Sequence, residues 1–307
     1  MPSILFIHTN FPAQFGFLGT RLAQAGWTVR FATAREGARS EFMTIMPFSR
    51  GREPTEGVHP YLRSTERAVI TGQQAARSFL AARKEGYNPD IVMAHSGWGP
   101  GLFVRDIWPD ALYIPYVEWW YRWPLVDMQF LGELPDSQDT LLRQRIRNAP
   151  ALLDFAIADF AITPTQYQAA QFEPRERALL EVIHDGVDTR LAAPAAEPPA
   201  RIAGLDVAAM PEIVTYATRG MEPQRGFPQF MRALEILQKR RPGLHAIVVG
   251  EDRVAYGRKL PKGDSWKTRM LAECDLAPAR THFTGHLPRP DYLRVLQASH
   301  AHVYLTA

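Results

Sequence analysis

Residues 3–32 read SILFIHTNFPAQFGFLGTRLAQAGWTVRFA. The apolar run at 4–8 gives way to the turn-rich Thr9-Asn10-Phe11-Pro12, which predicts a buried first strand. Leu18, Leu22 and Ala25 then recur at helical spacing across 17–25, and Gly26 supplies the stop. Residues 27–32 predict the next strand. Strand, turn, helix, glycine, strand is a βαβ opening, and it calls for a parallel sheet with helices on its faces.

The rhythm continues outward from there. A helix is predicted over 65–85 and strands over 91–94 and 112–117. An aromatic cluster follows, Trp119, Trp120, Tyr121 and Trp123. A helix over 139–159, a strand over 160–164, a helix over 165–172 and a strand over 180–184 complete the first series. Ala and Pro dominate 191–211, where no period survives, so this stretch reads as a linker. Beyond it, strands at 213–217, 245–249, 282–283 and 301–305 alternate with helices at 227–240, 265–274 and 290–298. The fold class expected is α/β, with two Rossmann-like, doubly wound parallel-sheet domains: 1–190, then the linker 191–211, then 212–307. Four strands without closing helices make the second domain read as incomplete, because an unpaired buried strand edge is a liability.

Composition narrows the functional classes. Of 307 residues, 46% are apolar and 22% charged, ordinary for a globular protein able to bury real cores. A net charge of +3 is too small an excess to argue for nucleic acid, although a local basic face could touch anionic lipid. Cys274 is the single cysteine, which precludes an intrachain disulfide and fits a reducing compartment. The first residues carry no basic n-region, and nowhere do roughly 18 apolar residues run uninterrupted. A soluble, cytoplasmic protein is expected, with room for peripheral contact at the inner membrane face.

Five landmarks in the second half stand in a recognisable order. They are His184-Asp185-Gly186-Val187-Asp188; Tyr216-Ala217-Thr218-Arg219-Gly220 with Gln224-Arg225-Gly226-Phe227; Val248-Val249-Gly250-Glu251; Phe283-Thr284-Gly285-His286-Leu287; and Val303-Tyr304-Leu305-Thr306. The series resembles the family-4 retaining glycosyltransferases of the GT-B fold, in which two Rossmann-like domains face a cleft. The resemblance covers both halves and is stronger from residue 184 onward. Three departures stand out: Asp185 occupies a usual Asn; the basic pair Arg219 and Arg225 is six apart rather than the more usual five, with Arg replacing Lys; and the 15–17 loop has one glycine where many members have two. The family's Glu-x7-Glu element would follow Leu305, so the chain is expected to lack it and to turn over poorly.

The resemblance implies transfer of a sugar from a nucleotide-sugar donor to a glycan, lipid-linked or small-molecule acceptor. No cofactor is implied, since the nucleotide sugar is a substrate and the reaction is expected to be metal-independent. The leaving group is a diphosphate, whose growing charge is met by cations and helix N-termini. Arg219 and Arg225 lie in a strand-to-helix loop at the carboxyl end of a parallel strand, where such sheets bind ligands. A guanidinium can grip two phosphate oxygens at once. Gly16 would let backbone approach the same diphosphate. His95 would reach the donor sugar or leaving phosphate as the catalytic group, and the His286-Leu287 loop would read the base and ribose. Glu118, Trp119 and Tyr121 are assigned to the acceptor side, because aromatic faces stack on sugars and a carboxylate accepts from hydroxyls. Solvated loop arginines, a capping histidine and an aromatic lid are the bland alternatives for these same residues.

Rival classes are weaker. A nicotinamide dehydrogenase needs Gly-x-Gly-x-x-Gly after a strand, and neither half has it. A phosphorylase needs a pyridoxal lysine, and Lys239, Lys259, Lys262 and Lys267 have no supporting motif. A nucleotide-sugar epimerase of the same fold, or a non-catalytic nucleotide- or sugar-binding module, remains in play. His282 and His286 look like a metal pair by number, but the strand and turn expected between them keep them off one helix face. His300 and His302 have no nearby carboxylate or thiol in sequence, and no metal is expected.

Overall fold

The computed structural model describes residues 1–122, 138–197, 199–256 and 259–306. Trp123 of the aromatic cluster lies outside them. The described residues form two compact units, divided in sequence between Val187 and Asp188.

The first unit is a seven-stranded parallel sheet. Its strands are β1 (Ser3–Ile7), β2 (Thr28–Thr33), β3 (Thr44–Pro47), β4 (Ile91–His95), β5 (Leu112–Tyr116), β6 (Ala161–Thr163) and β7 (Leu180–Val182). They lie side by side in the order β3-β2-β1-β4-β5-β6-β7. The strand order reverses between β1 and β4, the switch point of a doubly wound sheet. Both faces are covered, which is why β1 reads as an unbroken apolar run. Leu5 and Ile7 pack with Val92, Ala94, Phe79 and Trp108 on one side. Ile4 and Phe6 pack with Phe31, Met93, Ile114 and Tyr116 on the other.

The second unit contains a hairpin, β8 (Arg201–Ile202) with β9 (Leu205–Asp206), and a four-stranded parallel sheet. The sheet comprises β10 (Glu212–Gly220), β11 (Leu244–Glu251), β12 (Thr281–Gly285) and β13 (Ala301–Val303), in the order β12-β11-β10-β13. These four strands therefore repeat the reversal beside the first strand. The helix Phe227–Arg240 buries Phe227, Phe230, Met231 and Leu234 against Tyr216 and Val248, the i, i+3, i+4, i+7 face of an amphipathic helix. The two parallel sheets make this an α/β protein with two doubly wound units.

Several expectations are corrected. The single helix over 139–159 is two, Gln138–Ile146 and Ala149–Ile157. Pro150 in the first turn of the second helix cannot continue the first. Asn148 at the break exchanges two hydrogen bonds with the Tyr121 backbone, at 2.9 and 2.7 Å. The helix over 165–172 shrinks to Gln166–Ala169, capped by Thr165, and a separate turn Pro174–Arg177 follows. Strand 301–305 ends at Val303. Strand β3 has no counterpart among the expected elements; it is a four-residue edge strand closing on Pro47, tolerable only at an edge. The stretch 191–211 is not featureless either. Ile202 and Val207 are buried against Ile213, Ile247, Val249 and Val295, so two apolar residues in an Ala/Pro-rich background anchor the hairpin to the second unit's core.

One buried acid ties the first sheet to its helices. Asp154, in the helix Ala149–Ile157, accepts from Ser96 Oγ at 2.6 Å and from Tyr113 OH at 2.8 Å. Burial pushes its carboxyl up to about 6, against the opposing pull of the Ser96 and Tyr113 hydroxyls and the Gly97 backbone. Between its unfolded value near 3.8 and that folded value, the native protein holds more protons than the unfolded chain, so this contribution falls as pH rises. Chemical denaturation of wild type and Asp154→Asn across pH 4 to 7 checks this. Wild type should lose stability relative to the variant by on the order of 2 kcal/mol; a difference that stays constant with pH contradicts it.

Candidate functional site

The carboxyl ends of β1 and β4 place two histidines side by side. Ile7 pairs with Ala94, and the residues that follow are His8 and His95. Their rings meet edge to face at 4.7 Å, and both side chains are buried. His8 Nδ1 accepts from the Asn10 N–H at 2.8 Å, so its proton sits on Nε2. Burial, then the charge of His95, holds His8 down to about 4. His8 is thus a neutral ring at physiological pH.

His95 is held from both sides. Nδ1 lies 3.0 Å from the Ser96 carbonyl oxygen and Nε2 3.2 Å from Glu118 Oε2. A carbonyl can only accept, which fixes a proton on Nδ1. Glu118, on the loop after β5, takes a further hydrogen bond from Gln14 Nε2 at 2.7 Å. Burial would raise the Glu118 carboxyl, but the hydrogen bond and charge of His95, with Gln14 and His8, outweigh it and hold it below the usual range. Loops after β1, β4 and β5 thereby converge on one ionised carboxylate. Beside them, Tyr116 OH donates to Asp185 Oδ1 at 2.7 Å, which brings the 184–188 motif to the same edge. Burial, reinforced by that bond, pushes the phenol far above its ordinary value, so it keeps its proton and donates it to Asp185.

The other first-unit candidates separate. Gly16 opens the first helix, and a Cβ there would fall 2.6 Å from Pro12 Cβ. Packing against Pro12 is reason enough for glycine. Trp119 is half-buried with its ring 6.5 Å from that of Tyr167. Tyr121 is drawn elsewhere: the Arg147 guanidinium stacks on its ring at 3.8 Å and donates to its hydroxyl at 2.7 Å.

In the second unit, Arg219 and Arg225 come together on Tyr256. Arg219 Nη1 donates to Tyr256 OH at 2.9 Å, and the Arg225 guanidinium lies 4.8 Å over the same ring. Arg225 also donates to Thr306 Oγ1, just beyond β13. The pair therefore straddles the carboxyl ends of β10 and β13, the second sheet's own switch point. Glu222, fully buried, accepts from the Ala255 and Tyr256 backbone N–H groups at 2.8 and 2.9 Å and so fixes Tyr256. His286 is exposed after β12, whereas Leu287 packs beside Val295 in the core. His282 Nε2 and His245 Nδ1 lie 3.0 Å apart, and His302 meets Thr215. Among the described residues no group of three or more His, Cys, Asp and Glu could hold a metal ion.

Sequence reasoning missed His8, Gln14, Glu222 and Tyr256. His8 had a usable signal: in a doubly wound sheet the first and fourth strands are neighbours, so residues ending both strands must meet. Gln14, Glu222 and Tyr256 sit in loops with no period to place them.

The glycosyl transferase family 4 group's sequence profile matches residues 25–192, just over half of the chain. The chain belongs to this family. The match takes in His95, Glu118 and Asp185, although the motifs that carried the resemblance lie mostly beyond it. No curated sequence matches the chain. Among solved structures, sucrose-phosphate synthase from Thermosynechococcus elongatus is 17% identical with a TM-score of 0.64, over 98% of this chain and 75% of that one. HepE of Anabaena, in complex with UDP, is 16% identical with a TM-score of 0.60, over 98% and 73%. The catalytic domain of starch synthase IV from Arabidopsis thaliana, bound to ADP and acarbose, is 13% identical with a TM-score of 0.60, over 98% and 77%. At these identities the glycosyltransferase shares its fold with all three. Among the described residues no helix is long and apolar enough to cross a membrane.

The neutral His8 is directly observable. In ¹⁵N NMR of the imidazoles, His8 should keep an unprotonated Nδ1 from pH 8 down to about 5, consistent with a folded value near 4. A His8 ring that protonates near 6.5 contradicts the buried arrangement.

Proposed function

We propose that this glycosyltransferase moves a hexosyl group from a nucleoside-diphosphate sugar to a hydroxyl of a glycan, lipid or small-molecule acceptor, with retention at the anomeric carbon. The observation that carries this reading is the convergence of Arg219 and Arg225 at the carboxyl ends of β10 and β13. Two guanidinium groups at a switch point suit a diphosphate dianion. HepE and starch synthase IV, of the same fold, contain UDP and ADP.

In this reading the bond from the anomeric carbon to the diphosphate oxygen breaks as the acceptor oxygen bonds to that carbon. The acceptor proton ends on the released diphosphate. Arg219 and Arg225 stabilise the leaving diphosphate. No metal ion is required to offset that charge. The His286-Leu287 loop holds base and ribose. His95 keeps Nδ1 on the Ser96 carbonyl and donates through Nε2 to the donor sugar or leaving phosphate once that nitrogen exchanges Glu118 for the substrate. Glu118, Trp119 and Tyr121 serve the acceptor side, Tyr121 through its hold on Arg147 and Asn148. The reaction takes place in the cytoplasm, with peripheral contact to anionic lipid at the inner membrane face.

Arg225→Ala tests the donor role. Each charge-assisted hydrogen bond is worth about 1.5–3 kcal/mol, so calorimetric affinity for the preferred nucleoside diphosphate among UDP, ADP and GDP should fall about tenfold or more. The melting temperature should move little, since the side chain lies at the surface and is only half-buried. Equal affinity in variant and wild type contradicts the diphosphate role. Incubation with nucleotide sugars separates the classes: free nucleoside diphosphate released only with an acceptor glycan fits transfer. An altered nucleotide sugar without acceptor fits an epimerase, and binding without turnover fits a binding module.

A further inference from the structure

Three aromatic side chains stand on successive loops along the carboxyl edge of the first sheet. Trp98 follows β4, Trp119 follows β5 and Tyr167 follows β6. Trp98 is 58% exposed and Tyr167 51%, whereas Trp108, Tyr113 and Tyr116 of the same unit are buried. Trp119 packs beside Tyr167, ring centres 6.5 Å apart at 41°.

The Trp98 loop is held firmly while its indole is left outside. Ser96 is fastened to the buried Asp154 at 2.6 Å. Gly99 has φ +95°, and a Cβ there would lie 1.9 Å from the Ala68 carbonyl oxygen, so the loop lies flat on the helix Arg63–Lys84. An exposed indole between two such anchors costs little further entropy when it receives a ligand. Polar groups interleave with the rings. The Glu118 carboxylate lies on the loop between Trp98 and Tyr167, with the Gln14 amide on it at 2.7 Å. Gln168 Nε2 donates to the Glu118 backbone carbonyl at 3.0 Å, which joins the β5 and β6 loops.

Adjacent strands lie about 4.8 Å apart, so loops after β4 to β6 span about 10 Å, longer than one pyranose ring. We propose that this edge binds an oligosaccharide of two or more sugar residues, one ring on Trp98, another on the Trp119–Tyr167 pair, and a hydroxyl on Glu118. The proposal rests on the assignment of this edge to the acceptor and names the acceptor's class. A pyranose offers an apolar C–H face to an aromatic ring and a rim of hydroxyls to carboxylates and amides, the alternation found here. An anionic lipid surface asks instead for a continuous apolar stripe flanked by cations, and the Glu118 carboxylate opposes it.

The test is a glycan array carrying mono- and oligosaccharides of hexoses, hexosamines, deoxyhexoses and uronic acids, probed with wild type, Trp98→Ala and the double variant Trp119→Ala/Tyr167→Ala. UDP, ADP and GDP titrations of each protein run in parallel. Wild type should bind at least one oligosaccharide about tenfold better than its monosaccharide, and each variant should lose about tenfold of that affinity. Nucleotide affinity should be unchanged. Trp119→Phe/Tyr167→Phe, which keeps both rings, should bind like wild type and controls for misfolding. The proposal is overturned if no oligosaccharide exceeds its monosaccharide, or if the variants bind glycans as wild type does. Binding to phosphatidylglycerol vesicles without glycan binding, lost in Trp98→Ala, also overturns it in favour of a lipid surface. Absence of nucleotide binding alongside intact glycan binding would instead count against the donor reading alone.

Discussion

A parallel strand has no hairpin partner, so each must be reached by a crossover, and the crossovers on the two sides of a first strand cover opposite faces of the sheet. Where they part, the loops at the carboxyl ends diverge and leave backbone and side chains open. This constraint acts twice here. In the first sheet it sits between β1 and β4, and in the second between β10 and β13. His8 and His95 stand at the first position, and the Arg225 loop with Thr306 at the second. Every polar group implicated in function hangs from one of these two edges.

The two edges differ in charge and in how that charge is maintained. The first gathers a carboxylate, a neutral buried imidazole and a second imidazole gripped between a carbonyl and the carboxylate. Its supports are short: Asp154, buried beneath Ser96, with Gln14 on Glu118 and Tyr116 on Asp185. The second gathers two guanidinium groups around a tyrosine whose backbone is fixed by buried Glu222. Acceptance of hydroxyls suits the former, and neutralisation of phosphate suits the latter. The buried supports cost desolvation, visible in the raised Asp154 carboxyl, and in return hold loops that contain little regular structure.

Elements with a strong period are legible in the amino-acid sequence. The strand at Ser3–Ile7 and the helix Phe227–Arg240 follow from apolar spacing alone. His95 and Arg219, expected just past strand ends, are the last residue of β4 and the last but one of β10, and only Arg225 lies beyond its strand. What stays hidden has tertiary causes. Pro150 is a local sign of the break in 139–159, but nothing local shows that the Asn148 amide turns to the Tyr121 backbone there. The Ala/Pro-rich 191–211 conceals Ile202 and Val207, whose burial depends on residues far along the chain. Pro12 beside Gly16 and Arg147 over the Tyr121 ring are likewise contacts that no local pattern shows.

In the proposed function the second switch point receives the diphosphate while the first receives sugar. Crystals of the protein soaked in turn with UDP, ADP and GDP would locate the phosphates directly. Density for the two phosphates within hydrogen-bond distance of Arg219 and Arg225, with Tyr256 displaced from at least one of them, is the expected result. A diphosphate with neither phosphate near Arg219 or Arg225, or one bound at the amino ends of the strands, would contradict it.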